Sequence, residues 1–387
     1  MIRFTLSLAA ILMGATSAVA GEFSIRRFES NPDQVRSGAV RVDHGDLLYS
    51  GQLVSEPEGP IDDQITSLLK QTTELLTLNR LAPADLVRLN LYVADDVDVP
   101  AITMALSKWL DPAHLPAVSW VTTSLHTPGS RVGLDLVASR DPARTPASAR
   151  DRLTIIRSTA NTRVFISGQA EKGDGTVADA TTQTMASLFR TLEFLKLAPG
   201  DVVHVKVFIA PMTQSGQSLA AIRAAFGNVP CPPVVFVEWQ SPSLPVEIEL
   251  VAAASQPIDA ERPAVEYLTP PGMKASPVYA RVVRMQPPST IFISGLYGTQ
   301  ADPDSEAELR DLFAQTKSLA EAAGSDLRHL VKATYYVNSK GSSDQHNKLR
   351  PEYYDPARPP AASKAIVKGV GRAGRTITWD MIAAPRQ

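Results

Sequence analysis

Residues 81–94 read LAPADLVRLNLYVA, and residues 197–210 read LAPGDVVHVKVFIA. The two stretches share the Leu-Ala-Pro opening, Asp85 with Asp201, Val87 with Val203 and Ala94 with Ala210, and most other positions are conservative. A weaker third copy, SDLRHLVKATYYVN, occupies residues 325–338. Working outward, Tyr49-Ser50-Gly51-Gln52 recurs as Ile166-Ser167-Gly168-Gln169 and as Ile293-Ser294-Gly295-Leu296. Pro116-Ala117 recurs as Pro232-Pro233 and Pro360-Ala361, and each copy closes on an apolar strand: LDLVA at 134–138, IELVA at 248–252, WDMIA at 379–383. Independent landmarks agree in order and in spacing, which predicts an internal triple repeat.

Each copy reads as α+β. VRVDHGDLLYSGQL alternates loosely and ends in a glycine, as strands joined by a turn do. Ile65, Leu68, Leu69, Thr72, Leu75 and Leu76 then follow the helical period and predict one buried stripe. Met185, Leu188, Phe189, Leu192 and Leu195 repeat it, as do Leu309, Leu312, Phe313 and Leu319. Pro83 and Pro199 mark loops after the first two helices. Strands of period two follow, then shorter helices near 99–110, 215–226 and 343–354, then two closing strands. Linkers rich in Pro, Ser, Ala and charge are expected at 139–152 and 255–276, giving units at 38–142, 151–256 and 277–387. Each sheet needs helices on one face and apolar material on the other. Three units packed sheet to sheet around a pseudo-threefold axis, helices outside, meet that need within one chain.

Composition narrows the function. Of 387 residues, 44% are hydrophobic and 20% charged, enough for packed cores. Lys plus Arg is 38 against 40 for Asp plus Glu, so no large basic field is offered to phosphate backbones, and nucleic acid is not expected as a partner. Cys231 is the single cysteine, which excludes an intrachain disulfide framework, and the histidines show no ligand spacing, so neither metal nor other cofactor is expected. Residues 1–20 combine Arg3, a short apolar stretch and Ala18-Val19-Ala20, the pattern of a signal peptide cut after Ala20. The stretch falls short of the roughly 20 residues that span a bilayer. An exported, periplasmic or secreted protein with no membrane partner is the expectation.

The order Ser-Gly-Gln, long helix, strand, short helix, Pro-initiated strand and closing strand resembles the RidA (YjgF) family of enamine and imine deaminases. The resemblance recurs in all three copies. It implies chorismate-mutase-like units, an intramolecular pseudotrimer that is a monomer in solution, and small-molecule sites in the clefts between repeats. It also implies an Arg in the Pro-initiated strand, holding a substrate carboxylate by its planar fork. The matching positions here are Val118, Val234 and Ala362. A Glu that helps water attack the imine carbon matches Gly133, Glu247 and Thr378, so the second copy alone keeps it. An Asn of the short helix matches Asn347, against Thr103 and Leu219. The serine of the Ser-Gly turn is present as Ser50, Ser167 and Ser294.

Each candidate has a second reading. Ser-Gly at a strand end serves as a turn as readily as a ligand contact. Glu247 and Glu249 share one face of their strand: inward they need partners or a catalytic role, outward they are surface charges. Asn347 also reads as a surface helix residue, and Cys231 as a small buried one. Lys364 lies two residues after the vacant slot at Ala362 and shares its face, while Trp120 and Phe236 at the equivalent positions give apolar walls. The expected function is hydrolysis of a non-standard enamine or imine, with Glu247 as base. The alternative is a binding protein or scaffold, because no slot holds Arg; turnover of 2-imino acids is expected below the family's usual rate.

Overall fold

The structure is a computed structural model and describes residues 21–144, 153–156, 162–240, 243–254, 261–286, 289–299 and 302–386. The expected signal peptide lies outside the described residues, as do 145–152 and 255–260 of the expected linkers.

The architecture is mixed α+β. The first segment contains β1 (Ser24–Asn31), β2 (Arg36–Asp43), β3 (Asp46–Ser50), β4 (Leu53–Val54), α1 (Ile61–Leu78), β5 (Leu86–Val93), α2 (Val99–Trp109), β6 (Ala117–Thr122) and β7 (Val132–Arg140). The second contains β8 (Leu153–Ile156), β9 (Thr162–Gln169), α3 (Val177–Phe194), β10 (Val202–Ile209), α4 (Ser215–Phe226), β11 (Val234–Glu238) and β12 (Val246–Ala254). The third contains β13 (Val265–Leu268), β14 (Val282–Met285), β15 (Ser289–Leu296), α5 (Glu306–Ala322), β16 (Leu330–Val337), α6 (Lys340–Tyr353), β17 (Ala361–Ile366) and β18 (Ile377–Ala383).

The helices form where the apolar stripes place them. Ile65, Leu68, Leu75 and Leu76 of α1 pack on Leu89, Leu91, Leu134 and Leu136 of the first sheet. Met185, Leu188 and Leu192 of α3, and Leu309, Leu312 and Phe313 of α5, do the same on the strands of the second and third segments. Start signals are local: the Thr176 hydroxyl accepts from Asp179 N at 3.2 Å and the Ser305 hydroxyl from Glu308 N at 3.0 Å, each satisfying a free donor of the first turn. Within each segment the central strand pairs in parallel with the Pro-initiated strand and antiparallel with the closing strand: β5 with β6 and β7, β10 with β11 and β12, β16 with β17 and β18.

The opening strands depart from expectation. β2 and β3 are joined by the turn at His44-Gly45, yet they are not neighbours in the sheet. β2 pairs with β15 of the third segment, β8 with β3 of the first, and β14 with β9 of the second. Each segment's opening strand therefore completes the sheet of another segment. The expected three separate sheets are not what forms: β2 lies between β15 and β6, so strands of the first and third segments join in one 12-stranded sheet, while β9 to β14 make a second, 6-stranded sheet. Period-two alternation fixes which face is buried, and it is blind to which edge receives the strand. β13, within the expected linker at 255–276, extends the second sheet through β14.

The sheet faces turned away from the helices meet one another. Val40, Tyr49, Phe165, Val203, Phe292 and Val331 belong to one buried cluster, and Tyr92, Phe208 and Tyr336 to another. Both clusters draw on all three segments.

Candidate functional site

Glu247 and Glu249 point away from the helix-side core, in which Val246, Ile248 and Leu250 of the same strand are buried. This resolves their facing as inward. Glu249 is paired, with Lys332 Nζ at 2.7 Å. Glu247 instead lines a cleft of about 570 Å³ between the second and third segments. One wall brings Gly168 and Gln169 from the end of β9; the other brings Ala362, Ser363 and Lys364 from β17. The two walls are stitched where Gly168 N donates to Ser363 Oγ at 3.0 Å. A Cβ added at Gly168 would come within 2.0 Å of Glu247 Oε1, so the glycine leaves the carboxyl its place.

Burial, reinforced by the neighbouring Glu249, raises the Glu247 pKa to about 7. Ser363, Lys332 and Arg281 pull the other way and are outweighed. Burial and Arg350 lower Lys364 to about 8 against the attraction of Asp344. A carboxyl and an ammonium on opposite walls thus both titrate near neutrality, a perturbation typical of functional clefts. Lys364 Nζ donates to Ser343 Oγ at 2.8 Å and to Asn347 Oδ1 at 2.9 Å. Asn347 Oδ1 also accepts from Arg350 Nη2 at 2.8 Å, so the exposed Asn347 positions both cations of this wall.

Arg281, Lys274 and Arg350 also line the cleft, and sequence reasoning did not single them out. Arg350 follows Asn347 by one helical turn, a spacing that could have flagged it. Arg281 precedes β14, and no local pattern shows where an exchanged strand lands. No cation occupies the slot at Ala362; those present come from a helix, a loop and the position two residues along.

The serines divide. Ser50 Oγ donates to Gly51 O at 2.9 Å and accepts from Leu136 N at 2.9 Å. Ser294 Oγ donates to Ser37 O at 2.6 Å and accepts from Val118 N at 2.8 Å. Both are tied to backbone. Ser167 Oγ is buried and, among the described residues, has no hydrogen-bond partner.

The positions equivalent to Glu247 offer no carboxyl. Thr378 Oγ1 donates to Leu296 O at 2.8 Å, and a Cβ at Gly133 would lie 2.9 Å from Leu53 O. Phe236, expected as a ligand wall, is 4% exposed within the core of the second segment. Its backbone is clasped by Gln52, which accepts from Phe236 N at 3.1 Å and donates to Phe236 O at 3.0 Å. Trp120 borders a separate cleft between the first and third segments. Cys231 is half-buried, with its thiol pKa raised by burial. Among the described residues no group of three or more His, Cys, Asp or Glu could hold a metal, and no helix is long and apolar enough to cross a membrane.

Residues 152–254 match the family model described as endoribonuclease L-PSP. No curated protein matches the chain. Among solved structures, a member of the YjgF protein family from Neisseria meningitidis is 21% identical and covers 32% of this chain and 96% of its own, with a TM-score of 0.24. A member of the YjgF/YER057c/UK114 family from Mycobacterium tuberculosis is 23% identical, covering 26% of this chain and 81% of its own at a TM-score of 0.22. A protein of the conserved Rid family from Yersinia pestis is 20% identical, covering 25% and 82% at a TM-score of 0.23. The matched residues 152–254 include Ser167 and Glu247, and the match supports the family resemblance.

Proposed function

We propose that the chain is an exported triple-repeat relative of the RidA family, folded as an intramolecular pseudotrimer, and that its cleft between the second and third segments hydrolyses an enamine or imine bearing an anionic group. The observation that carries this is the placement of Glu247, with a pKa of about 7, opposite Lys364 in a cleft also lined by Arg281 and Arg350. A base poised near the working pH both takes and returns a proton efficiently.

The chemistry balances as follows. The enamine tautomerises to the imine. Glu247 as carboxylate takes a proton from water while the oxygen bonds to the imine carbon, and the C=N π pair moves to nitrogen. Protonated Glu247 then returns its proton to that nitrogen. Glu247, again a carboxylate, takes the carbinol hydroxyl proton and passes it to the nitrogen; the oxygen lone pair forms the ketone C=O as the C–N bond breaks with its electron pair, and ammonia leaves. Ser167, the serine the resemblance implies, is buried one residue before Gly168 and does not itself line the cleft, so no step is assigned to it. The cations bind the substrate's anionic group, displaced from the position a fork at residue 362 would set. Such a displacement favours a substrate other than the smallest 2-imino acids. RNA cleavage is not part of the proposal: the cleft offers no histidine pair, and the chain's net charge is −2.

The test is ammonia release from imines generated in situ by an amino-acid oxidase, with carboxylated and neutral side chains compared. Hydrolysis of carboxylated imines by the wild type, lost in Glu247→Gln, is the expected result. Ammonia release indistinguishable from the uncatalysed rate for every imine would replace the hydrolase by a binding role.

A further inference from the structure

The cleft between the first and third segments has a volume of about 650 Å³ and a different chemistry. Its floor is Val118 and Trp120 of β6, and one wall is α2, where Met104 is 60% exposed. The opposite wall carries Tyr297 and two arginines, Arg36 and Arg372. Arg36 reaches from the start of β2 across the boundary between segments, where its Nη1 donates to Gly295 O, while its Nε donates to Gln34 Oε1 at 2.9 Å. Arg372 stands 5.3 Å from the centre of the Tyr297 ring, and the phenol is fixed by donating to Val370 O at 2.7 Å.

Among the described residues neither guanidinium makes an ion pair with a carboxylate. Arg36 is half-buried and Arg372 exposed, Asp33 being the acid that also lines the cleft, and an incoming anion would give the half-buried guanidinium a counter-charge at ion-pair distance. Burial lowers the pKa of Arg36 and Arg372 adds to this, while Tyr297 and Glu29 pull it up and are outweighed. The shape is enforced locally: Gly371 has φ +73°, and a Cβ there would lie 2.2 Å from Trp120 Cβ, so the loop bearing Arg372 presses directly onto the indole. Apolar and aromatic walls with a few convergent polar groups are the usual make-up of a small-molecule site. The carboxyl that would act as base is replaced by Thr378, whose hydroxyl is already engaged.

We propose that this cleft is a second, non-hydrolytic site that binds a small organic anion with an aromatic body, the anionic group held by Arg36 and Arg372 and the ring lying against Trp120 and Met104. The inference rests on residues of the first and third segments and stands independently of the hydrolase reading.

The experiment is calorimetric titration of residues 21–387 with phenylacetate and with its neutral isostere phenylacetamide. Phenylacetate is expected to bind the wild type and to bind Arg372→Gln at least about tenfold more weakly, a difference of about 1.4 kcal/mol. Phenylacetamide is expected to bind more weakly by a similar factor. Lys364→Met is expected to leave phenylacetate binding unchanged, which separates this site from the other cleft. Arg372 is exposed, so its replacement leaves folding intact; Trp120 fluorescence that shifts on addition of phenylacetate is the second readout. Absence of binding, equal affinity for amide and acid, or a loss in Lys364→Met rather than Arg372→Gln would each overturn the proposal.

Discussion

The proton affinity of the Glu247 carboxyl is set by burial and by four neighbours with opposing effects. Burial and Glu249 hold its proton on, while Ser363, Lys332 and Arg281 favour its charge. For a base, the active form is the carboxylate, so activity should rise with pH through about 7. Lys364 binds an anion as the ammonium, which is lost as pH rises through about 8. The expected profile is therefore a narrow bell between these limbs, read from initial rates of ammonia release. Glu247→Gln should lower turnover by about 10²–10⁴-fold, the usual contribution of a positioned base, with little change in melting temperature. Lys364→Met should remove the alkaline limb and raise KM more than it lowers kcat. Gly168→Ala probes the same point from the other side: its methyl would displace the Glu247 carboxyl, a flexible chain end, so the variant should fold and lose activity. An active Gly168→Ala enzyme would show that the carboxyl position does not matter.

At the scale of elements, the unexpected feature is the exchange of opening strands. The helices were legible because apolar positions repeating on one stripe have a single explanation, and the central strands because their alternation repeats. The turn at His44-Gly45 was legible too, with His44 at φ 52°. Strand partners were not, because β2 alternates in the same way whether it lies beside β3 or beside β15. The site suffered from the same blindness. Glu247 and Lys364 each follow from local position, but their meeting depends on which segments abut, and Arg281 is placed by the strand it precedes. Exchange also has an energetic consequence. Removing β1 and β2 would expose the edge of β15, where Thr290 to Ile293 face Ala39 to Val42, and an uncovered edge pairs with whatever strand it meets. Deletion of residues 21–43 should therefore lower the melting temperature and shift light scattering from the mass of one chain to larger species. A deletion variant of unchanged mass and stability would show that the β2 contact is dispensable.

At the scale of the whole molecule, the contact between the 12-stranded and the 6-stranded sheet carries buried charges as well as two apolar clusters to which all three segments contribute. Arg88, His204 and Lys332 occupy matching positions on the central strands, and Asp135, Glu249 and Asp380 on the closing strands. The links run between segments. Arg88 donates to Asp380 of the third segment, Lys332 pairs with Glu249 of the second, and Asp135 of the first acts on His204. Burial outweighs that last attraction and lowers His204 to about 4, so the third link is neutral at physiological pH. The triple landmark spacing predicts segments of equal design, while the residues at the centre differ from segment to segment: each base meets a different acid. Charges buried this deeply are expected to specify register more than to add stability, which a double-variant cycle tests. Arg88→Met should leave Asp380 uncompensated and cost about 3–5 kcal/mol. Replacing both partners, as Arg88→Met with Asp380→Leu, should recover most of that loss, because two apolar side chains need no counter-charge. Urea denaturation of the four members of the cycle measures the difference. If the double variant is as unstable as Arg88→Met alone, the pair holds the first and third segments together by its charge, and register is then a by-product of that attraction.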